Sequence, residues 1–312
     1  MFVHAKWPVS VCDLRHYILN LKYIPANCKF DFKRVVDKSY LATINEETHM
    51  STEALMSFAT ALSAGSIKVV DLTVTLDPNT PVLKLPEEFG WGQAWAFSSE
   101  LISRYDEKGP AWYWNNFKCS EHTGTHFDAP IHWVTGKDHE NHATDTLPPE
   151  RFVGPAVVLD ATAEVAANPD YLLTLDFIKT WEAEHGQIPE GSWVLYRTDW
   201  SKRTDPEEYM NAREDGPHNP GWEPEAVTYL AQERNVIGVG TETVGTDSGQ
   251  ASGQDPMFPC HNLMHGANKC GLASLCNLDQ LPATGAVLIA APLKIREGSG
   301  SPVRVLALVP GS

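Results

Sequence analysis

Three histidines and one aspartate lie within a short segment of the sequence. Residues 121–133 read Glu-His-Thr-Gly-Thr-His-Phe-Asp-Ala-Pro-Ile-His-Trp and supply His122, His126, Asp128 and His132. Imidazole nitrogens combined with one carboxylate suit Zn, Mn or Fe(II), and an incomplete protein shell is typical of catalytic metal sites. We therefore predict that His122, His126 and Asp128 bind a divalent metal ion and leave positions open for water and substrate.

The residues between these side chains favour a strand and a turn over a helix. Gly124, its two β-branched threonine neighbours and the nearby Pro130 all disfavour a helix. In an extended stretch His126 and Asp128 point to the same side, because side chains alternate along a strand. A turn at Gly124 can then bring His122 to the same place.

His132 is predicted to act as a general base. It follows Asp128 by four positions and lies beyond a proline, so it can stand beside the metal and accept a proton from water. Three alternatives remain: hydrogen-bonded loop histidines, a metal-binding module without catalysis, and a non-haem iron oxygenase. The oxygenase would use two histidines and a carboxylate, which leaves His122 and His132 without a role.

Aromatic residues are concentrated around the histidine segment. Trp112, Tyr113 and Trp114 precede it and Trp133 follows it. A flat aromatic substrate would stack on such side chains, although core packing is the competing explanation. Trp112 and Trp114 are the predicted substrate contacts.

The rest of the chain predicts an α/β domain with a mixed sheet. Apolar, β-rich runs predict strands, and amphipathic runs predict helices over 174–184, capped by Thr174, and over 223–234, with Pro224 in its first turn. The predicted strands are 67–76, 156–159, 193–196, 236–239, 286–290 and 303–309. No repeat or long linker interrupts residues 68–309, so we predict a single domain.

Residues 1–49 differ from the remainder because they are mildly basic and follow no sustained apolar period. A helical pattern opens at Met50 and runs through Leu55, Phe58 and Leu62 to a stop at Gly65. We predict a domain over 50–312 preceded by an extension over 1–49. The extension is explained by a start codon assigned too far upstream, by a targeting or regulatory arm, or by a segment that covers a partner.

Composition excludes several classes of function. A formal net charge of −16 argues against nucleic-acid binding, which depends on clustered Lys and Arg. No apolar run reaches the roughly 18 residues of a membrane span, and no signal peptide is apparent, so we expect a cytoplasmic protein. The six cysteines contain no CxxC pair, and neither a dinucleotide loop nor a serine nucleophile elbow is convincing.

The segment from His122 to His132 resembles the H-x-G-T-H-x-D-x-P-x-H signature of the metal-dependent cyclase family, which includes bacterial kynurenine formamidases and isatin hydrolases. Likeness to the isatin hydrolases continues through other segments and covers most of 50–309. These segments are Thr198-Asp-Trp200, Gly245-Thr-Asp-Ser-Gly-Gln250, His261-Asn-Leu263, Gly271-Leu-Ala-Ser-Leu275 and Ala291-Pro-Leu-Lys-Ile295. The resemblance implies a swivelling β/β/α fold, a homodimer or larger homo-oligomer, and the metal ligands and base predicted above.

One departure within the family bears on the metal count. Kynurenine formamidases of the family resemble two-metal enzymes in which a histidine and a glutamate bind the second ion. Here His261 matches the histidine, but residues 271–278 contain no acid, with Ala273 or Ser274 at the corresponding place. The resemblance therefore implies one divalent metal, with Mn favoured and Zn an alternative. It leaves His261 to bind substrate, while Ser274 either contacts substrate and relays a proton or only packs.

The implied substrate is a small aromatic cyclic amide such as isatin, hydrolysed by ring opening. Kynurenine formamidase activity, or hydrolysis of another cyclic amide, is the main alternative because all these substrates share the same reacting amide group.

Overall fold

A computed structural model of the chain describes residues 52–85 and 90–311. The chain divides into two compact units, Met1–Thr60 and Ala61–Ser312. Of the first unit only residues 52–60 are described, and they are helical. The predicted extension over residues 1–49 lies outside the described residues.

The first described element is the helix over residues 52–63. It ends where the N–H of Gly65 donates to the carbonyl of Leu62 at 3.2 Å, with Gly65 at a φ of 75°. Glycine adopts this left-handed conformation without steric cost. The described part of the predicted helix and its stop at Gly65 are therefore confirmed.

In chain order the strands of the described residues are β1 (Ile67–Asp71), β2 (Ser98–Asp106), β3 (Gly109–Lys118), β4 (His126–Asp128), β5 (Val153–Asp160), β6 (Leu172–Leu173), β7 (Trp193–Arg197), β8 (Ala212–Arg213), β9 (Gly216–Pro217), β10 (Gly221–Trp222), β11 (Gly238–Thr241), β12 (Cys270–Ala273), β13 (Ala286–Ile289), β14 (Gly300–Pro302) and β15 (Leu306–Pro310). Nine of them form a mixed sheet at the centre of the second unit, with the order β1-β15-β13-β5-β7-β11-β12-β4-β14. The strands β5, β7, β11 and β12 run parallel, and the remaining pairs of this sheet are antiparallel. The mixed sheet expected for a cyclase-like fold is confirmed.

The two faces of the sheet bury separate apolar clusters, as alternation along each strand requires. In β7, Trp193 and Leu195 belong to one cluster, while Val194 and Tyr196 belong to the other. Helices supply much of the second cluster, whereas strands supply most of the first. Strands buried on both faces read as continuous apolar runs, which explains why β7 and the apolar centre of β5 were predicted.

The helical layer contains both predicted helices in modified form. Its helices are Thr162–Ala167, Leu175–His185, Pro206–Met210 and Pro224–Thr228, the last continuing as a π-helical turn over Tyr229–Glu233. Thr174 caps the second of these by accepting the N–H of Phe177 at 3.1 Å. The Thr174 cap and the Pro224 start were therefore predicted correctly, but the switch to π geometry was not.

Four predicted strands start or end at least two residues from the predicted position. The strand expected over 156–159 begins earlier, at Val153. The strand expected over 67–76 ends at Asp71, the one expected over 236–239 begins at Gly238, and the one expected over 303–309 begins at Leu306. Some of the omitted residues bond outside the ladders of the sheet. For example, the Val236 N–H donates to Leu230 at the end of a helix, and the Val305 N–H donates to Thr73 Oγ1.

The strands β2 and β3 form a separate two-stranded hairpin. Most of its residues are exposed, including Trp112, Tyr113 and Trp114. Two further strand pairs, β6 with β10 and β8 with β9, are separate from the nine-stranded sheet. Among the described residues, no helix combines the length and the apolar character needed to span a bilayer.

Candidate active site

Asp128 lies on β4 between two glycines of neighbouring strands. Gly271 of β12 and Gly300 of β14 are both its register partners. A Cβ at Gly271 would come within 3.0 Å of Asp128 Oδ2, and one at Gly300 within 2.6 Å of His122 Cε1. The two glycines therefore leave the space that the carboxylate and the adjacent imidazole occupy.

The predicted turn at Gly124 brings His122 to the aspartate. Gly124 has a φ of 62°, and His122 Nδ1 lies 2.7 Å from Asp128 Oδ1. His126 Nε2 lies 3.4 Å from the same oxygen, while its Nδ1–H donates to the Gly124 carbonyl at 2.8 Å. The structure thus brings together all three predicted metal ligands.

Hydrogen bonds fix which nitrogen of each ring carries a lone pair. The Ser299 hydroxyl donates to Glu121 Oε2 at 2.5 Å, so its oxygen accepts the Nε2–H of His122 at 2.9 Å. When both rings are neutral, the lone pairs of His122 Nδ1 and His126 Nε2 therefore both face Asp128 Oδ1. Acceptors this close repel one another unless a positive charge lies among them.

Asp128 itself is buried and only partly bonded. Burial alone would raise the pKa of its carboxyl, but His126 and His122 hold that pKa well below its ordinary value. Its second oxygen, Oδ2, is buried and has no hydrogen-bond partner among the described residues. A charged carboxylate with a bare oxygen at this depth indicates a place for a cation.

His132 lies next to His122 and Asp128. It ends the 3₁₀ turn Pro130–His132, and its ring stacks on that of His122 with centroids 3.9 Å apart. Burial lowers its pKa well below the ordinary value, so the ring is neutral at neutral pH. Among the described residues neither ring nitrogen has a hydrogen-bond partner, which leaves His132 able to accept a proton.

A helical turn over His261–His265 carries two more histidines towards Asp128. The ring centroid of His261 lies 5.3 Å from that of His132. Asp247 Oδ2 accepts the Nδ1–H of His261 at 2.6 Å, and the same carboxylate accepts the backbone N–H groups of Cys260 and His261. Asp247 therefore fixes both the helix start and the ring, and it raises the pKa of His261 against the effect of burial.

His265 shares this arrangement although the sequence analysis did not single it out. Its Nδ1–H donates to the Lys269 carbonyl at 3.0 Å, and its buried Nε2 has no partner among the described residues. Burial lowers the pKa of His265 to about 4. His265 is thus a neutral ring with a lone pair that faces the site.

Of the aromatic residues noted in the sequence, Trp133 lies beside the histidines. Trp133 packs against His261 and Phe258, with ring centroids 5.0 and 5.6 Å apart. Trp112 and Trp114 lie instead on the hairpin β2–β3, with about half of each residue exposed. No ring contact joins either of them to the five histidines in the described part of the chain.

Ser274 follows β12 and lies in a network of its own. Its hydroxyl accepts the phenol O–H of Tyr209 at 2.9 Å, and its carbonyl accepts Thr125 Oγ1–H at 2.5 Å. Ser274 also has a φ of 51°, a conformation that few residues other than glycine adopt. Its contacts hold the end of β12 against the residue that precedes His126.

Comparisons with known proteins identify the family of this chain. Residues 70–248 match the family model described as putative cyclase. The chain belongs to the cyclase family. As a cyclase-family protein it is 53% identical to the isatin hydrolase of Roseibium aggregatum over 258 residues, which cover 82% of this chain and 97% of that protein.

Two further comparisons add a solved structure and a relative of lower identity. A solved isatin hydrolase bound to the product analogue thioisatinate matches with a TM-score of 0.81 and 52% identity, covering 83% of this chain and 98% of that one. The kynurenine formamidase of Salinibacter ruber is 28% identical over 243 residues, which cover 76% of this chain and 96% of that protein. This cyclase-family chain is therefore an enzyme of the hydrolase type.

The residues present fit the metal that this cyclase family implies. The ligand atoms of His122, Asp128 and His132 lie within 4.8 Å of one another, and those of Asp128, His261 and His265 do too. The unpartnered Asp128 Oδ2 and the converging lone pairs form a donor set of nitrogen and oxygen suited to Mn or Zn.

Several residues that shape this cyclase-family site were not predicted from the sequence. They are Asp247, His265, Phe258, Ser299 and Glu121. Three signals were present in the sequence. His265 follows His261 by four positions, the spacing of one helix face, Ser299 is flanked by two glycines, and Glu121 directly precedes His122. Asp247 and Phe258 approach the site only through the fold.

Proposed function

We propose that the enzyme hydrolyses the ring amide of isatin to isatinate with the help of one divalent metal ion. In this reaction the oxygen of water bonds to the amide carbonyl carbon, the ring carbon–nitrogen bond breaks, and the nitrogen gains a proton. The observation that carries the proposal is the environment of the buried Asp128. Its Oδ1 lies beside a ring nitrogen of His122 and one of His126, and its Oδ2 has no hydrogen-bond partner among the described residues. The side chain of His132, which also has no hydrogen-bond partner there, lies close by.

We assign His122, His126 and Asp128 as the metal ligands. A divalent ion held there would polarise the amide carbonyl and make water a stronger nucleophile at neutral pH. The hydrogen bonds from His122 to Ser299 and from His126 to Gly124 orient both rings, as is usual for histidines that bind metals.

We assign His132 as the general base. Its lowered pKa keeps the ring neutral, so it can take the proton from the attacking water and return it to the departing nitrogen. Its stacking on His122 and its place at the end of a turn starting with Pro130 limit its movement. Such positioning is worth several kcal/mol to a reaction in general.

Substrate recognition is assigned to the opposite side of the site. Asp247 raises the pKa of His261 against the effect of burial, and the protonated ring would donate a hydrogen bond to a carbonyl or carboxylate oxygen of the ligand. Trp133 would stack on the planar ring. The sequence predictions that Trp112, Trp114 and Ser274 also contact substrate remain proposals.

We propose a single metal ion per chain, with Mn favoured and Zn as the alternative. Beside the shared Asp128, the second group of possible ligands offers only the imidazoles of His261 and His265. A second ion would therefore sit close to the first with too little negative charge to offset their repulsion. One metal favours isatin, whose two adjacent oxygens can both approach it.

Kynurenine formamidase activity is the runner-up because enzymes of that kind are also relatives of this chain. N-formylkynurenine presents a lone formyl group and lacks the adjacent carbonyl of isatin. We expect it to be the poorer substrate.

The test is an absorbance assay of purified enzyme with Mn²⁺ on isatin and on N-formylkynurenine side by side, combined with elemental analysis. We expect faster turnover of isatin, by about tenfold or more, and one equivalent of metal per chain. Two equivalents of metal, or faster hydrolysis of N-formylkynurenine, would promote the runner-up.

We also propose that the enzyme works as a homodimer or larger homo-oligomer. Support comes from the hairpin β2–β3, on which Leu101, Trp112, Trp114 and Phe117 are each at least half exposed. Exposed apolar side chains clustered on one element are typical of protein interfaces. Light scattering of the wild-type protein and of Trp114→Ser, at matched concentrations, would report the mass and the role of the hairpin.

A further inference from the structure

Ser299 touches the site without facing the substrate side of it. It lies between Gly298 and Gly300 and just before β14, where its carbonyl accepts the N–H of Ala129 at 2.9 Å. A Cβ at Gly300 would come within 2.6 Å of His122 Cε1 and 2.3 Å of the Phe127 carbonyl. The glycine thus lets the backbone next to Ser299 press directly against the His122 ring.

A directed chain of hydrogen bonds runs through Ser299. Glu121 Oε2 accepts the Ser299 hydroxyl at 2.5 Å and the Ser299 N–H at 3.3 Å, so the hydroxyl proton is committed to the carboxylate. The Ser299 oxygen can then only accept from His122 Nε2, at 2.9 Å. In a neutral ring, His122 is then left with its lone pair on Nδ1, 2.7 Å from Asp128 Oδ1.

We infer that Glu121 and Ser299 are positioning residues that set the tautomer and orientation of His122 for metal binding through Nδ1. The inference rests on the proposed metal site. Partners of this kind orient a ligating histidine and increase its basicity, and their loss typically weakens metal binding about 10–100-fold. Without the chain, the ring can place its proton on Nδ1, which blocks coordination, or rotate away.

The position of Glu121 makes the idea testable without disturbing substrate contacts. Glu121 lines an open cleft of about 650 Å³, and none of the five histidines lines that cleft. The Glu121 carboxylate bonds to the hydroxyl and the N–H of Ser299, so a change of its side-chain charge acts on the site through Ser299. A carboxamide there can still accept the hydroxyl but lacks the charge, so the effect of Glu121→Gln should be smaller than that of Ser299→Ala.

The experiment measures Mn²⁺ and Zn²⁺ affinity of the full chain by competition with a chelating dye, with no substrate present. We expect Ser299→Ala to weaken binding about 10–100-fold, Glu121→Gln about 3–10-fold, and Ser299→Thr, which keeps the hydroxyl, to stay near the wild-type value. Ser301→Ala is the matched control. It removes a buried hydroxyl two residues away that bonds only to backbone groups of residues 293 and 302.

Each outcome decides the matter. Unchanged metal affinity in Ser299→Ala, or an equal loss in Ser301→Ala, would mean that Ser299 only supports the fold. A wild-type chain that binds no Mn²⁺ or Zn²⁺ would overturn both this inference and the metal assignment. A wild-type chain that binds metal but leaves isatin intact would remove the proposed substrate while the affinity series still tests Ser299 and Glu121.

Discussion

The two sides of Asp128 are built differently. On the sheet side, His122 and His126 reach its Oδ1 directly, at 2.7 and 3.4 Å. On the helix side, His261 and His265 make no hydrogen bond to the aspartate in the described structure, although their ligand atoms come within 4.8 Å of it. All four rings have one nitrogen bonded away from the site.

This difference suggests a division of labour. The sheet side is stiff because β4 is hydrogen-bonded on both edges, to β12 and to β14, and stiff donors suit a metal ion. The helix side depends on a short turn anchored by one carboxylate, Asp247. We therefore expect substitutions on the sheet side to remove metal and those on the helix side to impair substrate handling.

The largest expected effect comes from the sheet side. Replacing His122, His126 or Asp128 with Ala should remove bound metal and reduce isatin hydrolysis by at least about 1,000-fold, because one metal serves both carbonyl and water. Elemental analysis after dialysis and steady-state kinetics measure the two effects. His132→Ala is the contrast, since it should lose a similar share of activity yet keep its metal.

A sheet-side variant that retained a full equivalent of metal would contradict the assignment of ligands. Loss of metal in His132→Ala would make that residue a ligand, as its closeness to His122 and Asp128 permits. Circular dichroism spectra of all four variants serve as the folding control.

The next effect comes from the helix side. His261→Asn should lower kcat/KM about 100-fold and Asp247→Asn about tenfold, both with unchanged metal content, because a hydrogen bond to the ligand is lost or weakened. Stopped-flow kinetics and elemental analysis on the same samples measure this. If either variant lost its metal, the two sides of Asp128 would not be separable in function.

A smaller effect separates stability from function. Glu182 accepts hydrogen bonds from Arg234 at 2.6 and 3.0 Å and from the Tyr229 hydroxyl at 2.6 Å. Burial would raise its pKa, but the Arg234 hydrogen bonds lower it from 4.5 to about 2. Glu182→Gln should therefore lower the free energy of unfolding by about 2 kcal/mol at neutral pH while both sides of the site keep their function.

The pH dependence of that difference follows from the sign of the shift. The folded state favours the ionised form of Glu182 more than the unfolded state does, because its pKa is lower when folded. The stabilisation is therefore complete above pH 4.5 and is lost as the pH falls towards 2. Urea unfolding of wild type and Glu182→Gln should thus differ at pH 7 and converge near pH 2. A difference that stayed constant over this range would assign the stability to packing.

The smallest effect is expected from the N-terminus. A chain that begins at Met50 keeps both sides of Asp128 and should match wild-type kcat/KM within about twofold, since the extension is predicted to lie outside the domain. Soluble yield, melting temperature and kinetics of the two proteins provide the comparison. Loss of most activity would show that residues 1–49 support the site.

Much of the sheet side was predictable because its causes are local. Gly124 as a turn, the alternation of His126 and Asp128, and the Thr174 cap each follow from residue type and spacing over a few positions. Strand limits were less accurate. The Val305 N–H, for example, donates to the side chain of Thr73, and side-chain partners so far away in the sequence leave no periodic signal.

The sequence by itself determined which side chains form the proposed metal group, because all four predicted residues lie in one segment whose turn and strand bring them together. Only the tertiary structure decided what surrounds that group. Asp247, His265 and Ser299 reach it from distant parts of the chain, through the pairing of β4 with β12 and β14 and through one helix start. Spacing along the chain carries no information about such contacts, since loop closure between distant segments depends on the packing of the whole sheet.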